Sequence, residues 1–335
     1  MQIVIPYKPE NQEKNQAKPC LLEGFQESIV TSAGIQSMQL PKRELILGNW
    51  FLEGDLGFVY GPRGLGKTWL SMYMAKCISE GKSCHNWQCS QARRVLYIDG
   101  EMPADGIKDR DASLSEHESE NLHYLSHEIY FNKTGKILAL ADSLQQDAIL
   151  NLCIEQKIKV LFLDNLSCLF SGMAENQADD WERVLPWLLS FRRNKISVVI
   201  VHHSGKRGDT MRGTSRREDA AFWVIGLSNP VGDSKADGAR FISRFTKDRN
   251  SSTKEETLPC EWTFEPSANG KTSITCRKAD DMDIFEQCLR EGLNNCGDIA
   301  EEMGCKSSKV SKMAAKAEKA GWLTKDGRNY KYVGQ

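Results

Sequence analysis

Eight consecutive residues, Gly61-Pro62-Arg63-Gly64-Leu65-Gly66-Lys67-Thr68, complete the pattern G-x-x-x-x-G-K-[ST]. Glycines at these positions let the backbone curl until several N–H groups converge on one anion. The lysine adds a mobile positive charge, and the threonine hydroxyl is a hard oxygen ligand for a divalent cation. The set predicts the grip on a nucleoside triphosphate, with Gly61, Pro62, Arg63, Gly64, Leu65, Gly66, Lys67, Thr68 and the following Trp69 around the phosphates and Thr68 on Mg²⁺. The flanks agree. Residues 54–60 read as a short strand, and 68–80 place Leu70, Met74, Cys77 and Ile78 at helical spacing before Gly81, a natural helix terminator.

Three further strand ends carry groups that a triphosphate site needs. Four apolar residues, 160–163, precede Asp164, which fits a second Mg²⁺ contact made through a water. Residues 96–98 lead into Asp99-Gly100-Glu101. Hydrolysis requires a group that orients or deprotonates water near the γ-phosphate, and Glu101 is the candidate, with Asp99 in support. Val201 is followed by His202 and His203; a polar strand end beside the γ-phosphate can sense its loss, and His202 is taken as the inward one. The bland alternatives are solvated acids and a buried structural histidine.

The whole chain sets the bounds. It has 335 residues, 40% hydrophobic and 27% charged, with a net charge of −1. That length suits one large and one small domain. The charge balance excludes a histone-like basic blanket while leaving room for local basic patches. Eleven cysteines are scattered without a repeated C-x-x-C, which favours free thiols in a reducing cytoplasm over a zinc framework. The first twenty residues show no apolar signal-peptide core, and no apolar run reaches the length of a membrane span. A cytoplasmic protein is expected.

Residues 1–40 are polar and weakly patterned, an expected arm or flexible extension. From 41 to about 280, apolar strands such as 95–98, 160–163 and 196–201 alternate with amphipathic helices at about 144–156 and 178–193, the latter containing Pro186. Continuous apolar runs suit strands buried on both faces of a mostly parallel sheet, so the fold class is α/β. After Ala220 the pattern turns to strands joined by tight turns, at 222–228, 240–246 and twice within 260–277, which predicts an antiparallel edge.

Taken in order, 61–68, 96–102, 161–164, 198–203 with Arg212-Gly213-Thr214-Ser215, and 245–250 resemble the RecA-like ATPases, and within them the RepA-type hexameric helicases of plasmids and mobile elements. The resemblance covers about two thirds of the chain. It implies a RecA-like ATPase core at 41–280, ATP and Mg²⁺ as cofactors, and catalytic roles for Lys67, Glu101, Asp164 and His202. It also implies that Lys247 and Arg249 reach the γ-phosphate bound by a neighbouring subunit, so that a homo-oligomer, a hexameric ring, is the working form. Loops leaving the sheet after Asp164 and His203 would then face a central channel. The second holds Lys206, Arg207, Arg212, Arg216 and Arg217 against Asp209, a local positive patch suited to single-stranded DNA. Lys206 and Arg207 are the preferred DNA contacts; Arg212 serves either DNA or the subunit interface.

Residues 281–335 read as three helices followed by a hairpin with Asp326-Gly327 in its turn, and resemble a winged helix-turn-helix domain. In the third helix Val310, Met313, Ala314 and Ala317 form one face. Lys309, Lys312, Lys316 and Lys319 form another, with Ser307 and Ser308 at its start to meet base edges or phosphates, a surface for duplex DNA, with a protein partner as the alternative. The reading is an ATP-hydrolysing DNA helicase or translocase in replication of a mobile element, with replication proteins as further partners and no membrane. An ATP-gated DNA-binding regulator or loader, and a filament-forming recombination or repair ATPase, are the alternatives.

Overall fold

The computed structural model describes residues 21–171, 178–203, 216–230, 238–253, 255–303 and 305–334, and the chain divides into two compact units, Met1–Glu44 and Leu45–Gln335. Within the first, α1 (Leu21–Ser28) and α2 (Ser32–Ser37) are short helices. The Thr31 hydroxyl accepts from the Gly34 N–H at 3.0 Å and so starts α2.

The second unit opens with the hairpin β1 (Leu45–Leu47) and β2 (Phe51–Leu52), followed by β3 (Leu56–Gly61) and α3 (Lys67–Glu80). Next come β4 (Val95–Asp99), α4 (Ala104–Leu114), β5 (Leu122–Ser126), α5 (His127–Thr134) and α6 (Ser143–Glu155). Then follow β6 (Val160–Asp164), α7 (Leu166–Leu169), α8 (Ala178–Arg193), β7 (Ser197–His203), α9 (Arg216–Asp219) and β8 (Trp223–Ser228). Helix α8 runs on through Pro186. Three antiparallel strands, β9 (Ala239–Asp248), β10 (Cys260–Pro266) and β11 (Thr272–Lys278), precede α10 (Asp281–Arg290), α11 (Cys296–Glu302), α12 (Ser307–Lys319) and the hairpin of β12 (Leu323–Asp326) with β13 (Asn329–Tyr332).

Nine strands form one sheet in the order β11-β10-β9-β8-β3-β7-β6-β4-β5. The six from β8 to β5 run parallel, and β9 to β11 extend the sheet antiparallel. Strands β3, β4 and β6 are buried at every position, because helices cover both faces. Period-two alternation sorts the core. Val59, Tyr97, Phe162 and Val199 pack with Leu70, Met74 and Ile78 of α3 on one face. Phe58, Leu96, Leu161 and Val198 pack with Ile149 of α6 and Trp181, Val184 and Phe191 of α8 on the other. The mostly parallel sheet with its antiparallel edge is the architecture expected from the strand pattern.

Helices α10 to α12 and the last hairpin gather around Phe285, Ile299, Val310, Ala314 and Trp322. They are fastened to the sheet by Arg244 of β9, which donates to Glu291 at 2.5 Å and to Glu302. Its side chain is 11% exposed, so these two carboxylates replace much of the water around its guanidinium.

At the centre of the sheet Gly57 of β3 stands opposite Trp223 of β8, and a Cβ there would lie 2.1 Å from the indole ring. The ring is buried and edge-on to Trp50 and Phe51 at 4.8 and 5.0 Å between centroids, so it has nowhere to retreat. Gly57→Ala is expected to cost about 3 kcal/mol by overpacking, read as a lowered urea midpoint.

Candidate nucleotide-binding site

Strand β3 ends at Gly61 and α3 begins at Lys67, so the glycine-rich loop is the turn from the central strand into a helix N-terminus. Two glycines are required there. Gly64 has φ +74°, and Gly66 has φ +108° with a hypothetical Cβ 2.6 Å from the Phe241 ring. Arg63, Gly64, Gly66, Lys67, Thr68 and Trp69 line one wall of a cleft of about 430 Å³. Gly61, Pro62 and Leu65 shape the loop from behind: Leu65 is buried in the core, and the Pro62 carbonyl accepts from Lys67 Nζ at 2.6 Å.

The opposite wall comes from neighbouring strand ends. The register sets Asp99 of β4 beside Asp164 of β6, and the Gly100 N–H donates to the Asp164 carbonyl at 2.8 Å. The Asp99 carboxylate accepts from the N–H groups of Glu101 and Met102 at 2.9 and 2.6 Å, which folds the chain so that Glu101 lines the cleft. Asp99 thus shapes the turn that carries Glu101. Asn165 donates its side-chain amide to Glu101 Oε2, while its own side-chain oxygen accepts from the Cys168 N–H at the start of α7.

Burial decides the electrostatics. Asp99 and Asp164 are 2% and 3% exposed. Burial first, then the neighbouring Asp164, pushes Asp99 up to about 6. Burial also raises Asp164, against the hydroxyls of Tyr97, at 2.7 Å, and Thr68, both donating to it. Lys67, 5% exposed, is lowered to about 8, chiefly by burial and against the attraction of Asp164 and Glu101.

The contact between Thr68 and Asp164 brings two hard oxygen donors together on the phosphate side of the cleft. That pair suits Mg²⁺, which takes few protein ligands and completes its shell with phosphate oxygens and water. Among the described residues, no group of three or more His, Cys, Asp or Glu side chains could hold a metal.

Residues 22–209 match the AAA domain family, more than half of the chain. The chain belongs to that family. The family's members are phosphate-loop ATPases, and the mostly parallel sheet of the second unit is consistent with a RecA-like core. Among solved structures, the flagellar accessory protein FlaH from Methanocaldococcus jannaschii is similar at 14% identity over 67% of this chain and 90% of that one, with a TM-score of 0.43. No curated protein matches. Within the described residues no helix is long and apolar enough to cross a membrane.

Within this AAA domain, His203 rather than His202 lines the cleft. His202 pairs in register with Tyr60 and is fully buried, whereas His203 pairs with Gly61, at the root of the loop. Successive strand residues point to opposite faces, so the choice of His202 as the cleft residue reverses. Arg110 of α4 also lines the cleft, with its guanidinium 4.4 Å from the centre of the Trp69 ring and 3.2 Å from Met102 Sδ. Neither Arg110 nor Asn165 was signalled by a motif.

Lys247 and Arg249 lie elsewhere. Lys247 pairs with Val224, which is level with Phe58. The Arg249 N–H donates to the Phe222 carbonyl, and the Phe222 N–H to that of Leu56, the first residue of β3. Gly61 is five residues further along, roughly 17 Å at strand rise. Lys247 Nζ donates to the Glu218 carbonyl. Lys206, Arg207 and Arg212 lie outside the described residues.

The lowered Lys67 sets a pH dependence. Between about pH 8 and 10.5 the unfolded chain keeps a proton that the folded chain has released, so this residue's contribution to stability improves as pH rises through that window. Phosphate binding needs the ammonium and runs the other way. ADP affinity is expected to fall above about pH 8, approaching tenfold per pH unit, with proton uptake on binding. Calorimetry in buffers of different ionisation enthalpy measures that uptake, and Lys67→Arg should flatten the profile.

Proposed function

We propose that the chain is an ATP-driven DNA translocase or helicase of the RepA-type kind, acting as a ring of identical subunits in replication of a plasmid, phage or other mobile element. The observation that carries this reading is the separation of charges. Lys67, Thr68, Asp164 and Glu101 meet in one cleft, while Lys247, near the end of β9, and Arg249 just beyond it lie two strands away from β3 and outside the cleft lining. A cation held so far from its own phosphate loop can assist hydrolysis only in a neighbouring copy's cleft, as a finger supplied in trans.

In this scheme Lys67 leaves the Pro62 carbonyl for the β- and γ-phosphates. Glu101, aimed by Asp99 and Asn165, accepts the proton of a water whose oxygen attacks the γ-phosphorus; the bond to the β–γ bridging oxygen breaks and ADP departs. Mg²⁺, held by Thr68 and through water by Asp164, would neutralise charge on the phosphate oxygens. His203 takes the sensor role first given to its neighbour, because it stands beside Gly61. The cations from the next subunit offset the charge that builds in the transition state.

Residues 281–335 are read as a winged helix that binds duplex DNA through α12. Lys309 is held by Asp281 at 2.5 Å, which makes it the weakest of the three predicted contacts. Lys312 and Lys316 are exposed on the same helix and carry the phosphate-binding role.

The decisive experiment measures ATP hydrolysis with and without single-stranded DNA, together with particle mass in ATP. Stimulated hydrolysis by a six-subunit particle is expected; an unstimulated monomer would sink the motor, and an unstimulated duplex binder would favour the ATP-gated regulator. Arg249→Ala should abolish turnover while ADP affinity stays within about twofold, and full turnover would exclude the finger. Lys312→Ala with Lys316→Ala should weaken duplex binding at every sequence and reduce its log–log salt slope by about 2.

A further inference from the structure

Helix α4 holds Arg110 in the cleft, and the next residue, Asp111, faces elsewhere. The Asp111 carboxylate accepts from Lys76 Nζ at 3.2 Å to each oxygen, and from the Tyr124 hydroxyl at 2.9 Å. Lys76 is on α3, the helix that Lys67 begins, and is 3% exposed. Tyr124 is on β5 and stands in register with Tyr97, whose hydroxyl holds Asp164. One carboxylate thus ties α4 to the phosphate-loop helix and to the strand beside β4, the strand that ends in Asp99 and leads into the Glu101 turn. None of Lys76, Asp111 and Tyr124 lines the cleft.

The ends of α4 are braced as well. The Ala104 N–H donates to Glu128 Oε2 at 2.6 Å. Lys271, in the turn between β10 and β11, donates to the carbonyls of Ala112 and Ser115 at 2.9 and 2.7 Å. These contacts hold the two ends of the helix, and the bonds from Lys76 to Asp111 join it to α3 one residue from Arg110, which lies over Trp69.

We infer that Asp111 is a positioning residue for nucleotide hydrolysis: through Lys76 and Tyr124 it locks α4 so that Arg110 and the Glu101–Met102 turn keep their places relative to the phosphate loop. The inference rests on the reading of the cleft as a hydrolytic nucleotide site. Its physical basis is that Arg110 reaches the cleft on a long side chain from a helix with few apolar anchors; Ile107 and Leu114 are the buried residues of α4. A shift of about 1 Å in a group that must meet a transferring phosphoryl costs up to about a hundredfold in rate, while ground-state binding, spread over the whole loop, suffers less.

The test uses the full chain with ATP and Mg²⁺. Asp111→Asn keeps the shape and an acceptor for Tyr124 but removes the charge facing Lys76. Its kcat, normalised to sites titrated with a fluorescent ADP analogue, is expected to fall about tenfold while KM for ATP moves less than about threefold, and Asp111→Glu should recover part of the loss. Because Asp111→Asn leaves a buried ammonium without its counter-charge, a second variant, Lys76→Met with Asp111→Leu, removes both charges. It should fold and should also turn over slowly. A per-site kcat equal to wild type in either variant overturns the inference. Absence of ATP hydrolysis by the wild-type chain overturns instead the reading on which it rests.

Discussion

The constraint on which the site depends is the removal of water from three charges: Lys67, Asp99 and Asp164. Each must find a protein partner or shift its proton equilibrium, and each does both. Lys67 rests on the Pro62 carbonyl and is lowered; Asp99 takes two backbone N–H groups and is still raised; Asp164 takes two hydroxyls and is still raised. These hydrogen bonds dictate the local chain path. The turn that aims Glu101 exists because Asp99 needs donors, and the curl of the loop puts a carbonyl within reach of the lysine. The low-dielectric surroundings that make these groups costly alone make them strong partners for a polyphosphate and a divalent cation.

The sheet makes that concentration of charge possible. Strands β3, β7, β6 and β4 are parallel neighbours, so their carboxyl ends share one edge, and Gly61, His203, Asp164 and Asp99 arrive there from four separate parts of the chain. Parallel register keeps them level, and the alternation of side chains decides which residue at each end faces the cleft. The antiparallel extension adds support from the side: Phe241 of β9 crowds Gly66, and Phe264 of β10 lies 5.9 Å from Trp69. Opening of an open α/β sheet's strand ends onto one crevice is the general route to a nucleotide pocket, and here that crevice lies over β3 and its neighbours.

What was legible in the sequence follows from how local each signal is. The phosphate loop is contiguous and fully spelled out. The buried strands read as apolar runs because both faces are covered; Asp164 closes one such run, and Glu101 follows two residues after Asp99 closes another. Strand β5 carries little signal because Leu122 to Tyr124 are only partly buried at the sheet edge, and α4 because two buried residues make too weak a periodic pattern. His202 and His203 are indistinguishable in the sequence, because a one-residue choice needs the exact register with β3. Asn165, Arg110 and the ties from Lys76, Tyr124 and Lys271 to α4 join residues far apart in sequence, and no spacing rule encodes them.

The same separation that defines the cleft argues for assembly. Under the proposed function, a phosphate loop in the cleft and a Lys-x-Arg pair outside it, on the far side of β8, make each copy both donor and acceptor. The contact joining them is heterologous, because it brings two different surfaces together, and so it repeats from copy to copy. Such a contact closes into a ring when its rotation divides a full turn and runs on as a helical filament when it does not. The fold of one chain is compatible with both. The angle at the subunit contact, which neither the loop nor the cations fix, therefore separates a ring that passes DNA through its centre from a filament that coats it, while the chemistry at each shared phosphate stays the same.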